Sequence, residues 1–219
     1  MDSRLRGQVQ PISAVIITGI VVSLVGVAYF WGVPMMQKQS SMSEYATTER
    51  FITDLKNSIE ELARSGAGKT SLDLNGRAVT LLPYGDDGEG NNTLVMTFFM
   101  EQPLIFPNAT LYMGATSFED INYTGTYGEA SPAIVKITSA PFGTQYILTA
   151  EIIYRELLRN DIPRKGFEIA LCPARKSSCN TVMKGSNKIS MSFDKNIVKP
   201  VEAANGGDLV LTYIEIELL

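Results

Sequence analysis

The side chain most often used for proton transfer and metal binding is missing from this chain, which contains no histidine. With it go the commonest general base, the commonest metal ligand and every His-dependent triad. Carboxylates and two cysteines remain. Asp86, Asp87 and Glu89 stand close together in GDDGEGNN, Gly85 to Asn92. Their oxygens can hold Ca²⁺, although the spacing matches no EF-hand; the plainer reading is a solvated hairpin loop. A membrane-tethered hydrolase working through Asp86 or Glu101 has no support beyond those carboxylates. No catalytic residue, cofactor or metal is therefore assigned, and the expectation is a protein that is not an enzyme.

ARSGAGKT, Ala63 to Thr70, looks like a phosphate-binding loop, but Ala63 stands where the first glycine belongs. Its order is also reversed: such a loop leads from a strand into a helix, whereas this segment leaves a helix and enters a strand. It reads as a helix stop and turn. Cys172 and Cys179 flank PARKSS. In an oxidising compartment such a pair forms a disulfide, since two thiolates without histidine cannot complete a tetrahedral metal shell. Closing so short a loop stabilises by about 2–3 kcal/mol in the entropy model. Its expected job is to fix an exposed loop. Three N-x-S/T sequons begin at Asn91, Asn108 and Asn122, in or beside predicted loops, as glycan acceptors must be. Ordinary loop asparagines are the alternative.

These residues need elements to position them, and the first is unmistakable. From Gly7 to Gln37 no side chain is charged, and a short basic leader, MDSRLRG, precedes the run. Its apolar part, Pro11 to Met36, is about 26 residues or roughly 39 Å as a helix, where about 20 span a bilayer. The length exceeds that of a cleaved secretory signal, and no A-x-A-like site follows. Tyr29, Phe30 and Trp31 form an interfacial aromatic belt. Arg4 and Arg6 lie before the span and only Lys38 close behind it, so the positive-inside rule puts the N-terminus in the cytoplasm and the remainder, from about Gln39, outside. Ser13, Gly19, Ser23 and Gly26 punctuate the span; small residues let helices approach closely where lipid supplies no hydrophobic drive.

Next comes an amphipathic stripe, Tyr45, Thr48, Ile52, Leu55, Ile59 and Leu62, at alternating spacings of three and four. Only QKQSS separates it from the span, so the two read as one helix of about 80 Å from Pro11 to Ser65, bent near Gly32 and Pro34. Gly66 and Gly68 stop it. Strands follow. SLDL and AVTLL flank Asn75-Gly76, a hairpin signal. Further strands are expected at Thr93 to Met100, Thr110 to Met113, Ala133 to Ser139, Gln145 to Glu156, Gly166 to Leu171, Lys188 to Phe193 and Leu209 to Leu218. ILTAEIIYRELLR, Ile147 to Arg159, reads equally as a helix. The expected class is α+β: residues 1–7 a leader, 8–66 a transmembrane plus amphipathic helix, and 69–219 a mainly antiparallel β-sandwich or barrel head of about 8–10 strands.

Arg6-Gly7, then Gln8, a long uncharged helix and a β-rich head resemble archaeal type IV pilins and archaellins with a class III signal peptide. The resemblance covers roughly the first third of the chain. It implies that a prepilin-type peptidase cuts between Gly7 and Gln8, with Arg6 as the basic residue before the cut, and that the freed helix packs with like subunits into a filament. One departure is Ile12, five residues into the mature chain, where many pilins carry a glutamate.

Two function classes follow. One is a filament subunit exposing its head for adhesion or contact; the other is a permanent single-pass protein whose head binds a surface-layer or envelope partner. A formal charge of −4 without a basic stripe points away from nucleic acid.

Overall fold

The computed structural model describes residues 6–88, 90–101, 109–113, 124–159, 164–176, 178–200 and 207–219. The leader before Arg6, together with Glu89, Asn108 and Asn122, lies outside them. The chain divides into two compact units, Met1–Tyr45 and Ala46–Leu219.

The first unit is the apolar run of α1 (Arg6–Ser65), which passes Gly32 and Pro34 without interruption. An 18-residue window of this helix has a mean hydropathy of 2.2, and none of it is buried. Phe30 and Trp31 are 79% and 81% exposed. The chain thus has one N-terminal helix long and apolar enough to cross a membrane.

The second unit begins inside the same helix, because that is where its sequence acquires a stripe. Ile52, Leu55 and Ile59 are fully buried and Thr48 and Leu62 nearly so, so the last turns of α1 belong to the core. Each such aliphatic side chain contributes about 1.5–3 kcal/mol by leaving water. Gly66 ends the helix in the left-handed region at φ 63°, its N–H donating to the Leu62 carbonyl at 3.1 Å. The helix-to-strand order around Ala63–Thr70 removes the phosphate-loop reading.

Twelve strands follow among the described residues: β1 (Lys69–Asp73), β2 (Ala78–Leu82), β3 (Thr93–Met100), β4 (Thr110–Met113), β5 (Thr124–Thr126), β6 (Ala133–Phe142), β7 (Gln145–Tyr154), β8 (Glu156–Arg159), β9 (Arg164–Pro173), β10 (Met183–Gly185), β11 (Lys188–Pro200) and β12 (Gly207–Leu218). They form two six-stranded sheets, ordered β1-β11-β12-β9-β8-β5 and β10-β2-β3-β7-β6-β4. Pairing is antiparallel except for β12 with β9 and β5 with β8. The period-two pattern decides which face is inward. On β3, Leu94, Met96, Phe98 and Met100 are buried while Phe99 between them is exposed. On β12, Ile214, Ile216 and Leu218 are buried, and Tyr213, Glu215 and Glu217 turn to the other face.

One expectation is corrected. Asn75 and Gly76 do make the tight turn their types suggest, with φ 50° and 79° and the Arg77 N–H closing on the Leu74 carbonyl at 3.0 Å. The flanking strands, however, do not pair as a hairpin: β1 joins β11 in one sheet and β2 joins β3 in the other. The turn is a bridge between sheets, held by Leu74 N–H to Asn187 O and Gly76 N–H to Ser186 O at 2.9 and 3.0 Å.

The ambiguous Ile147 to Arg159 is strand, split in two at Arg155. There the main-chain N–H turns away to the Pro132 carbonyl at 3.0 Å, and β7 and β8 enter different sheets.

Candidate functional site

Two places carry the residues singled out by sequence. In the first unit, Gly19, Ser23 and Gly26 lie on one helix at intervals of four and three, hence on one face. A Cβ placed on Gly19, Gly26 or Gly32 would meet no atom within 4 Å. Among the described residues nothing fills the notches these small residues leave. Ser23 donates its hydroxyl to the Gly19 carbonyl and Thr18 to Ala14, both at 2.8 Å. Each polar group is satisfied inside the helix, so neither obstructs burial in an apolar setting. Ser13 is exposed on the same helix. Arg6, Gly7 and Gln8 form its first turn.

The second place lies in the other unit, where two loops are stitched onto β9. Cys172 and Cys179 are joined, with Cα atoms 4.9 Å apart, and the loop between them is held from outside by Asp86. That carboxylate accepts from the Ser178 hydroxyl at 2.6 Å, the Cys179 N–H at 2.7 Å and the Asn180 amide at 2.9 Å. The Asp86 N–H donates in return to Asn180 Oδ1 at 2.9 Å. Those hydrogen bonds, from Ser178 first and Cys179 next, hold its pKa below the ordinary value. Among the described residues no group of three or more His, Cys, Asp or Glu could hold a metal, and Asp86 spends its oxygens on the disulfide loop. Tyr84, Ala170, Cys172, Cys179 and Leu211 form a small buried cluster beneath, with Leu209 and Tyr213 against it.

The other end of the same connection is fastened by Asn92. Its side chain behaves as a strand would, donating to the Ile169 carbonyl at 2.7 Å and accepting from the Leu171 N–H at 3.0 Å. Tyr84 N–H adds a bond to the Leu171 carbonyl at 2.9 Å. The edge of β9 needs these partners because β8 pairs only as far as Phe167, and buried main-chain groups left single are costly. Asn92 is 3% exposed and holds φ 47°, a conformation asparagine tolerates better than most residues.

Glu168 sits beside this seam. Asn92 Nδ2 lies 3.4 Å from its Oε1, and the Tyr84 hydroxyl and the Glu156 carboxylate are near enough to act on its charge. Burial, and then the Glu156 charge, raise its pKa from 4.5 to about 7, against the hydrogen bonds of Tyr84 and Asn92 and the charge of Lys199. Sequence reasoning passed over Glu168 and Asn92. The available signal was a lone acid in an otherwise apolar strand, GFEIALCP. Of the sequons, Asn91 is exposed, and its carbonyl accepts from the Thr93 hydroxyl at 2.6 Å.

No protein-family model, curated protein or solved structure matches the chain.

Proposed function

We propose that this chain is a pilin-like structural subunit of an extracellular filament, assembled through its N-terminal helix with the β-rich head exposed for adhesion or contact. The observation that carries the reading is the first unit: a long uncharged helix whose side chains are uncovered and whose glycines leave open notches on one face. Gly and Ser occur in single anchors as well; packing against like helices is the reading that uses both the apolar length and the small residues. In this reading Arg6 and Gly7 mark a prepilin-type cut before Gln8, and the head lies outside the cell, where the Cys172–Cys179 bond persists. The head would be a sandwich of its two sheets. Inward alternation on β3 and β12 and the Asn92 bonds, which reach Tyr154 O of one sheet at 3.4 Å and Ile169 O of the other, support that arrangement.

Intact-mass measurement of the native chain, paired with negative-stain microscopy of sheared surface material, tests the function. Filaments composed of a chain beginning at Gln8 support it. A chain retained in the membrane and still beginning at Met1, in cells that possess the peptidase, establishes instead the single-pass protein whose head binds an envelope partner.

A further inference from the structure

We infer that Asn91 carries an N-linked glycan whose first sugars lie in a cleft of the second sheet, on the face opposite its buried Leu94 and Met96. Two adjacent asparagines have opposite fates. Asn92 is buried and spends its amide on Ile169 O and the Leu171 N–H. Asn91 is exposed, and among the described residues its side-chain amide has no hydrogen-bond partner. It is also one of the residues lining a cleft of about 450 Å³. Strand order carries that cleft from β3 across β7 and β6 to β4, about 14 Å at the usual strand spacing.

The lining suits a sugar. Val95, Ile134 and Ile153 offer aliphatic surface to the C–H faces of a pyranose, and Tyr112 offers an aromatic ring. Register sets Val95 opposite Glu151, Glu151 opposite Lys136 and Lys136 opposite Tyr112. The Lys136–Glu151 pair, 3.1 Å apart, therefore lies among them and presents donors and acceptors to hydroxyl groups. A contact too weak to hold a free sugar holds a tethered one, because attachment supplies an effective concentration in the millimolar range.

In the modification, Asn91 Nδ2 attacks the anomeric carbon of a lipid-linked sugar phosphate. The N–C bond forms as the C–O bond to phosphate breaks; the lipid phosphate leaves with the electron pair, and the amide gives one proton to a base of the transferase. Thr93, the hydroxyl residue of the sequon, is 6% exposed, and its hydroxyl already donates to the Asn91 carbonyl. Transfer therefore precedes the closing of β3, and folding then lays the sugar on the sheet. The inference rests on the placement of the head outside the cell in the reading above, but not on filament formation.

The test uses the full chain, in detergent micelles, from cells that carry out N-glycosylation. The peptide containing Asn91 should show a carbohydrate mass increment that is missing in Asn91→Gln. The Cys172–Cys179 bond in the same digest reports the compartment. Unmodified Asn91 with the disulfide formed overturns this inference alone; unmodified Asn91 with both thiols free overturns the external head as well. Seating is read by limited acylation of lysines. Lys136 should label about two- to tenfold more slowly in the glycosylated wild type than in Asn91→Gln, while Lys69, exposed on the other sheet, labels equally in both. Equal Lys136 rates with the glycan attached show the sugar projecting into solvent and overturn the seating. Tyr112→Ala keeps the sequon and removes the ring. In that background the rate ratio between the glycosylated chain and its Asn91→Gln counterpart should shrink, and an unchanged ratio overturns the cleft as the seat of the sugar.

Discussion

Asp86 accepts the main-chain N–H of Cys179 at 2.7 Å, so the disulfide loop is held by a residue distant in sequence as well as by its own covalent bond. Asp86→Ala removes two hydrogen bonds into that loop, from Ser178 and Cys179, and one from Asn180 just beyond it, and should leave the core, which Asp86 does not enter, intact. The expected outcome is a several-fold faster reduction of Cys172–Cys179 with little change in the thermal midpoint. Because the folded pKa of Asp86 is lowered from 3.8, its contribution is present above that value and disappears as pH falls through the folded one. Reduction by a phosphine reagent, active in acid, should therefore accelerate below about pH 3.8 in the wild type and lose that acceleration in Asp86→Ala.

Calcium should have no effect on the head. The oxygens of Asp86 already serve Ser178, Cys179 and Asn180, and a cation drawing on them would have to release the disulfide loop. Thermal unfolding in millimolar Ca²⁺ and in chelator should give the same midpoint. A rise of several degrees with Ca²⁺ would show that the acidic loop is a site after all.

Asn92 is the stitch whose loss should cost most for its size. Asn92→Ala leaves the Ile169 carbonyl and Leu171 N–H without their partner, each worth about 1–3 kcal/mol when stranded. It also puts alanine, without the polar side chain that lets asparagine tolerate the left-handed region, at φ 47°, at about 1 kcal/mol. A total loss of about 3–7 kcal/mol is expected. Asn92→Gly should be milder by that last term alone. Denaturant unfolding of the two variants separates the hydrogen bonds from the backbone strain.

What the sequence revealed and what it concealed divide along physical lines. The stripe Tyr45, Thr48, Ile52, Leu55, Ile59 and Leu62 was legible because helical periodicity persists over several turns; the last five are buried and Tyr45 is half-buried. β3 falls where its alternation put it, and β4, too short to alternate, where its turn-forming neighbours bounded it. β5, β8 and β10 run three or four residues each, too short for a period of two to show. Asn75-Gly76 was read correctly as a turn and wrongly as a hairpin, since local φ preferences fix the reversal but not which sheet each strand then joins. Glu168 and Asn92 were hidden for the same reason. Their meeting depends on β9 losing its neighbour β8 after Phe167, a fact of long-range pairing.

The two halves of α1 should fail in different ways, which makes them separable by mutation. Ile52 is fully buried in the second unit, so Ile52→Ala should destabilise the head by about 2–5 kcal/mol through lost burial and the cavity left behind. Membrane insertion should be unaffected, because the apolar run is unchanged. Gly26→Leu is the converse. Among the described residues no atom beyond the adjoining helix backbone lies within 4 Å of its Cβ position, so the added side chain meets no other group there, and the span stays apolar. The head should melt at the wild-type temperature and insertion should survive, yet neighbouring helices could no longer approach at the notch. Equal membrane insertion is confirmed first by fractionation, and sheared surface material is then viewed by negative stain. Filaments in the wild type and in a rescued, less bulky Gly26→Ala, but absent in Gly26→Leu, are the expected pattern; filaments unchanged in Gly26→Leu would remove the notch from the assembly surface.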